Sequence, residues 1–167
     1  MTTLFSQPFD ALEAGDRFTT RGRTVTESDV HGFAGLTGDF HPQHTDEEWA
    51  AAGPFGGRIA HGLLVLSFAA GLVPFDPERV MALRKVRDVV FKRPVRLGDT
   101  IHVEGRVAEV KPIDESAGLV AVALNVTGAN RQTVMRATVE VVWRRDAAPV
   151  TNGAPDELPD ALTCVPL

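Results

Sequence analysis

A single cysteine, Cys164, stands in a chain of 167 residues. One thiol makes neither an internal disulfide nor a cysteine-rich zinc site, so disulfide-dense secreted scaffolds are excluded. Positive charge is also scarce. The 17 Lys and Arg residues face 22 Asp and Glu, and the formal net charge of −5 gives no global field to draw in nucleic acid or an anionic membrane. Neither partner is expected. Long hydrophobic runs are missing as well: residues 58–73, the most apolar stretch, are interrupted by His61, Gly62, Ser67 and Gly71 and fall short of the ~20 residues that span a bilayer. That stretch reads as a buried core helix. The N-terminus, Met1-Thr2-Thr3-Leu4-Phe5, lacks a positive start followed by an apolar segment. No signal peptide is expected, and a cytoplasmic location is.

What is present is the composition of one soluble globular domain, 44% hydrophobic and 23% charged. Residues 17–26 are β-branched and polar and predict an edge strand. Ser28 is placed to cap a short helix from Asp29, with Val30, Phe33, Ala34 and Leu36 on its buried face and Gly38 at its end. A loop from Asp39 to Thr45 leads to a second short helix through Ala52. After the break at residues 53–57, the segment Ile59 to Val73 is apolar around most of its circumference. Such a helix is normally surrounded by protein. The second half changes period to two, predicting strands around residues 85–92, 100–110, 120–126 and 135–143. The economical packing is an α+β domain, residues 1–145, whose antiparallel sheet curls around the apolar helix. Its exposed edge strand predicts a homodimer. Residues 146–167 carry four of the eleven prolines and read as a C-terminal tail.

Within this apolar chain, Gly38-Asp39-Phe40-His41-Pro42-Gln43-His44 places an acid and two histidines in seven residues. Asp and His close together can form a proton-transfer pair. The plainer reading has Asp39 capping the turn after Gly38, with His41 and His44 on an exposed loop. As a metal set, Asp39, His41 and His44 are stiffened by Pro42 and joined by no second acid–His cluster, so no metal is expected.

The longer context resembles the MaoC-like, (R)-specific enoyl-CoA hydratase family. The residues that carry the resemblance run from Phe33 to Asp46, from Phe55 through Ala60-His61-Gly62 to Leu64, and from Phe91 to Thr100, three separated motifs in order. The resemblance implies a hot-dog fold, usually dimeric, acting on an acyl-CoA or an acyl-carrier thioester without a cofactor. It implies that Asp39 and His44 are the catalytic pair and that Gly62 offers its backbone N–H to the thioester oxygen. Two departures are visible: His41 stands where the family usually has Asn, and Ala70 where some members carry serine.

His41, Phe55, His61, Lys92, Arg93 and Arg96 are the candidate substrate contacts. Phe40 and Trp49 read rather as ordinary core. His61 has a plainer reading as a helix-start residue satisfied by backbone, and Lys92, Arg93 and Arg96 as a solvated strand face. The expected activity is reversible addition of water to a 2-enoyl thioester. A hot-dog thioesterase and a non-catalytic acyl-binding subunit are the rivals.

Overall fold

The computed structural model describes residues 4–145; the predicted tail, 146–167, lies outside them. Two 3₁₀ turns, Leu4–Ser6 and Phe9–Ala11, bring Phe5 and Phe9 into the core. Strands β1 (Arg17–Thr19) and β2 (Arg23–Thr24) follow, then helices α1 (Glu27–Thr37), α2 (Pro42–Thr45), α3 (Glu47–Ala52) and α4 (Gly62–Leu72). Four long strands complete the order: β3 (Val80–Phe91), β4 (Thr100–Pro112), β5 (Ala117–Thr127) and β6 (Thr133–Arg144). They form one antiparallel sheet in the order β1-β4-β5-β6-β3, with β2 also on β4.

Alternation decides which face meets α4. Ile101, Val103 and Val107 of β4, Val120, Val122, Leu124 and Val126 of β5, and Met135, Ala137, Val139 and Val141 of β6 are buried in one cluster with Leu64, Val65 and Ala69 of α4. The four expected strands are thus present, with β3 longer than predicted.

The N-terminal half departs from expectation in four places. The single strand predicted over 17–26 is two short pieces, both paired to β4. Helix α1 is capped by Thr26, not Ser28: the Thr26 hydroxyl accepts from the Asp29 N–H while the Asp29 carboxylate accepts from the Thr26 N–H. A threonine three residues before an acid satisfies two orphan donors at once, which Ser28 could not do. Leu36 is 83% exposed rather than buried, leaving Val30 and Ala34 as the buried positions of α1. The loop after Gly38 contains the extra turn α2, which Pro42 starts without losing a hydrogen bond. Gly38 itself ends α1 as predicted, in the left-handed conformation at φ 79°.

Helix α4 is not surrounded among the described residues. The sheet covers Leu64, Val65 and Ala69, but Leu63, Ser67 and Gly71, spaced four apart, form an exposed stripe, with Leu63 61% exposed. Met81, Leu83, Val86, Val90 and Phe91 are also exposed on β3, the edge strand that leaves one side unpaired.

Arg58 ties the pieces around the site together. Its guanidinium donates to both carboxylate oxygens of Glu27 at 2.7 and 2.8 Å and to Glu47 at 2.7 Å, joining the first turns of α1 and α3 to the segment entering α4. Those two acids hold Arg58 protonated still more firmly than usual.

Candidate active site

The N-terminal end of α4 opens into a cleft of about 480 Å³. Four elements supply its polar wall: Asp39 from the turn after α1, Gln43 and His44 from α2, His61 and Gly62 from the start of α4, and Lys92 and Arg93 from the end of β3. Phe33, Phe55, Ile59, Val65 and Phe91 give it an apolar lining.

Helix α2 is only four residues long, so its position depends on side-chain bonds. His41 Nδ1 accepts from the Gln43 N–H at 3.2 Å, which makes His41 the N-cap. Asp39 Oδ1 accepts from the His41 N–H at 3.3 Å. The Ile59 N–H donates to the Gln43 carbonyl at 3.2 Å, and His44 Nδ1 meets the Ile59 carbonyl at 2.7 Å. A carbonyl oxygen only accepts, so Nδ1 carries the proton and the neutral ring has its lone pair on Nε2.

His44 is 4% exposed. Burial pushes its imidazole below the ordinary value of 6.5, the Ile59 carbonyl and Asp39 acting against that and His61 and His41 adding to it. The sign follows directly. The unfolded chain takes up a proton on His44 below pH 6.5 while the folded chain does not, so this contribution to stability is full above 6.5 and lost as pH falls through the folded value. Thermal denaturation below pH 6.5 is therefore expected to steepen with acidity in wild type and less so in His44→Gln; equal slopes would refute it.

His61, 2% exposed, donates from Nε2 to the Asp39 carbonyl oxygen at 2.9 Å and stacks on His44 with ring centroids 3.8 Å apart at 27°. Its Nδ1 is buried without a hydrogen-bond partner among the described residues. One ligating atom from each of Asp39, His44 and His61 lies within 4.8 Å of the others. Each histidine keeps one lone pair, since His44 Nδ1 and His61 Nε2 donate to carbonyl oxygens. Groups this close can share one water. Two hydrogen bonds of ~2.8 Å meeting at a tetrahedral angle set their outer atoms about 4.6 Å apart.

Gly62 is the first residue of α4, where backbone N–H groups have no partner inside the helix and the dipole is positive. A Cβ there would meet the Phe91 ring at 2.9 Å, so only glycine allows that approach.

The structure brings Asp39, His44, His61, Gly62, Phe55, Lys92 and Arg93 to one cleft, and sets His41 and Arg96 apart from it. His41 packs edge-on against Trp49 at 5.3 Å. Arg96 donates to the Phe55 carbonyl, bracing the loop behind the wall. The plainer reading of the acid–His loop is half met: Asp39 does cap a turn and His41 is exposed, but His44 is buried. Phe40 and Trp49 are exposed rather than core. Of the wall residues that the sequence alone does not single out, Gln43 lies at an unspecified position of its motif, and Phe33, Ile59, Val65 and Phe91 give only the signal of ordinary apolar positions.

An antiparallel sheet packed on a central helix, with an acid and a histidine beside that helix's N-terminus, defines a hot-dog-fold protein. The fold is shared with a Mycobacterium tuberculosis protein described as having a double hotdog fold, at TM-score 0.72 and 22% identity over 89% of this chain and 46% of that one. Residues 10–130 match the family described as MaoC like domain, and the chain belongs to it. It is 38% identical over 104 residues to the 3-hydroxybutyryl-CoA dehydratase of Methylorubrum extorquens, covering 62% of this chain and 66% of that one. It is 36% identical over 90 residues to the (R)-specific enoyl-CoA hydratase of Rhodospirillum rubrum, covering 54% and 62%. The matches thus span less than two thirds of either relative. A solved structure titled as a monoamine oxidase regulatory protein from Archaeoglobus fulgius superposes at TM-score 0.79 with 38% identity, over 84% of this chain and 95% of that one. No helix among the described residues is long and apolar enough to cross a membrane.

Proposed function

We propose that the chain is a hydro-lyase that reversibly adds water to a 2-enoyl thioester, giving an (R)-3-hydroxyacyl thioester. The observation that carries this reading is the meeting of Asp39 and His44, with ligating atoms within 4.8 Å of each other, and the first N–H of α4 in the same cleft. Water held between the two is deprotonated by one of them as its oxygen bonds to C3 of the substrate. The C2=C3 electron pair moves toward C1, and the thioester oxygen takes up negative charge. The Gly62 N–H, backed by the α4 dipole, stabilises that charge as it develops. The dyad then returns a proton to C2, so one water is consumed and the groups end as they began. Dehydration runs back through the same transition state.

Lys92 and Arg93 in the cleft wall suit the phosphates of an acyl-CoA or the phosphopantetheine of a carrier protein. The names of the two curated relatives support a CoA thioester. The first test follows the conjugated enoyl-thioester absorbance of crotonyl-CoA and a longer enoyl-CoA, with Asp39→Asn as control. Wild type alone is expected to bleach it. Free thiol in place of hydration would identify a thioesterase instead, and silence on both substrates would favour a binding subunit.

The functional unit is a homodimer in this reading. A twofold pairing of β3 edges would cover its apolar row and the Leu63 stripe together. Sedimentation is expected to give twice the 18.0 kDa chain mass, and Leu83→Lys to shift it toward one. A wild-type monomer at assay concentration would overturn the dimer.

A further inference from the structure

Both ring nitrogens of His44 are committed. Nδ1 donates to the Ile59 carbonyl at 2.7 Å, and Nε2 lies 3.1 Å from the Gln43 side-chain nitrogen. The lone pair left on Nε2 can only accept, so the NH₂ end of Gln43 donates to it. Gln43 is well placed to keep that bond. Its backbone N–H is held by His41 and its backbone carbonyl by Ile59, while its half-buried side chain runs along the cleft wall.

We propose that Gln43 is a positioning residue for the hydration reaction, its carboxamide holding the His44 Nε2 lone pair toward the cleft and yielding it to the reacting water. The proposal rests on the Asp39/His44 reading above. An imidazole fixed at one nitrogen only can still tilt; fixed at both, it presents one lone pair in one direction. A donor on that lone pair also favours the neutral ring, the form able to accept a proton. Handing Nε2 from amide to water exchanges one hydrogen bond for another of similar strength, so little is lost at the exchange. The other titratable groups facing His44 are Asp39 from the turn after α1, His41 at the start of α2 and His61 at the start of α4, with Lys92 and Arg93 in the wall at the end of β3. Asp39 favours the charged ring, and His41 and His61 oppose it.

The test compares wild type with Gln43→Leu, which removes the donor, and Gln43→Glu, which keeps the size but turns the donor into an acceptor. Imidazole ¹H–¹⁵N spectra recorded through a pH titration report His44 without any turnover. Gln43→Glu is expected to raise the His44 titration by about one unit or more, because a carboxylate accepts from a protonated Nε2. In Gln43→Leu the Nε2 resonance is expected to move while Nδ1 stays. Hydration by Gln43→Leu should lose about tenfold in kcat with KM within about twofold, and the acid limb of each pH–rate profile should follow the titration seen by NMR. An Nε2 resonance and titration unchanged in both variants, or an unchanged kcat, would overturn the proposal. A shifted titration in a wild-type background inactive on every enoyl thioester would instead overturn the hydratase reading, and the role in hydration with it.

Discussion

Asp39→Asn and His44→Gln are each expected to lower kcat/KM for enoyl-thioester hydration by about 10³-fold or more, and the double variant by hardly more than either alone. Proton transfer by a positioned side chain contributes typically 10²–10⁴-fold. In the proposed reaction the two groups share one water, so losing either removes the geometry in which the other works. Groups that act as a unit give losses that do not add. The stability of the two variants should differ. Asp39 is exposed, and Asn keeps an oxygen for the His41 N–H, so Asp39→Asn should melt near wild type. His44 is buried, and its bond to Ile59 anchors α2, so His44→Gln should melt earlier, by about 1–2 kcal/mol. Additive losses in kcat/KM would mean that Asp39 and His44 serve separate steps, and the shared water would have to be abandoned.

Gly62→Ala carries the second large effect. The added methyl would stand 2.9 Å from Cζ of Phe91 and about as close to both ε carbons. Phe91 is half exposed and meets it with the far end of its ring, so the ring can swing aside and the fold should survive. Alanine is also better than glycine in a helix by up to about 1 kcal/mol, so the melting temperature should not fall. Activity should fall nonetheless, by about 10²-fold in kcat/KM, because the methyl fills the space in which a thioester oxygen would approach the N–H. The comparison of melting curve with turnover separates a blocked site from a damaged one. Full activity in this variant would place the substrate carbonyl elsewhere, and the first turn of α4 would lose its role.

Much of the scaffold was legible because its signals are local and periodic. The alternation of Ile101, Val103 and Val107, or of Met135, Ala137, Val139 and Val141, reports a buried sheet face without any knowledge of the partner. The helix over 62–72 follows from its composition. The incomplete covering of that helix does not, since hydrophobicity says that a surface will be buried but not by which chain. The exposure of Leu36 is a similar case: an apolar residue at a helical spacing that the described residues leave uncovered. Asp39 and His44 stood out as titratable groups in an apolar chain, and the motif context joined them to Gly62. His61 was read in two ways, and its contact with the Asp39 carbonyl is the backbone satisfaction the plainer reading describes, in a place where it also lies against His44. Gln43 and Arg58 were not legible as they are used. The partners of Arg58 are eleven and thirty-one residues away, the bond of Gln43 to His44 depends on the exact rotation of a four-residue helix, and no local period encodes either.

The strand order β1-β4-β5-β6-β3 sets a timetable for folding. Strand β3 is made before β4 and β5 but pairs with neither; its partner β6 begins at Thr133, forty-two residues beyond Phe91. Helix α4 emerges earlier still, and the long strands β4, β5 and β6 that bury Leu64, Val65 and Ala69 all come after it in the chain. During synthesis its most apolar segment and its edge strand therefore wait, uncovered, while the β4–β5 hairpin forms, and the sheet closes only when the last strand leaves the ribosome. Non-local pairings of this kind fold slowly and expose sticky surface meanwhile. The segment from α1 to the start of α4 carries its own ties, Arg58 and the caps of α1 and α2. The residues of the candidate site are thus local at one wall and late at the other, and the cleft exists only after β3 has found β6.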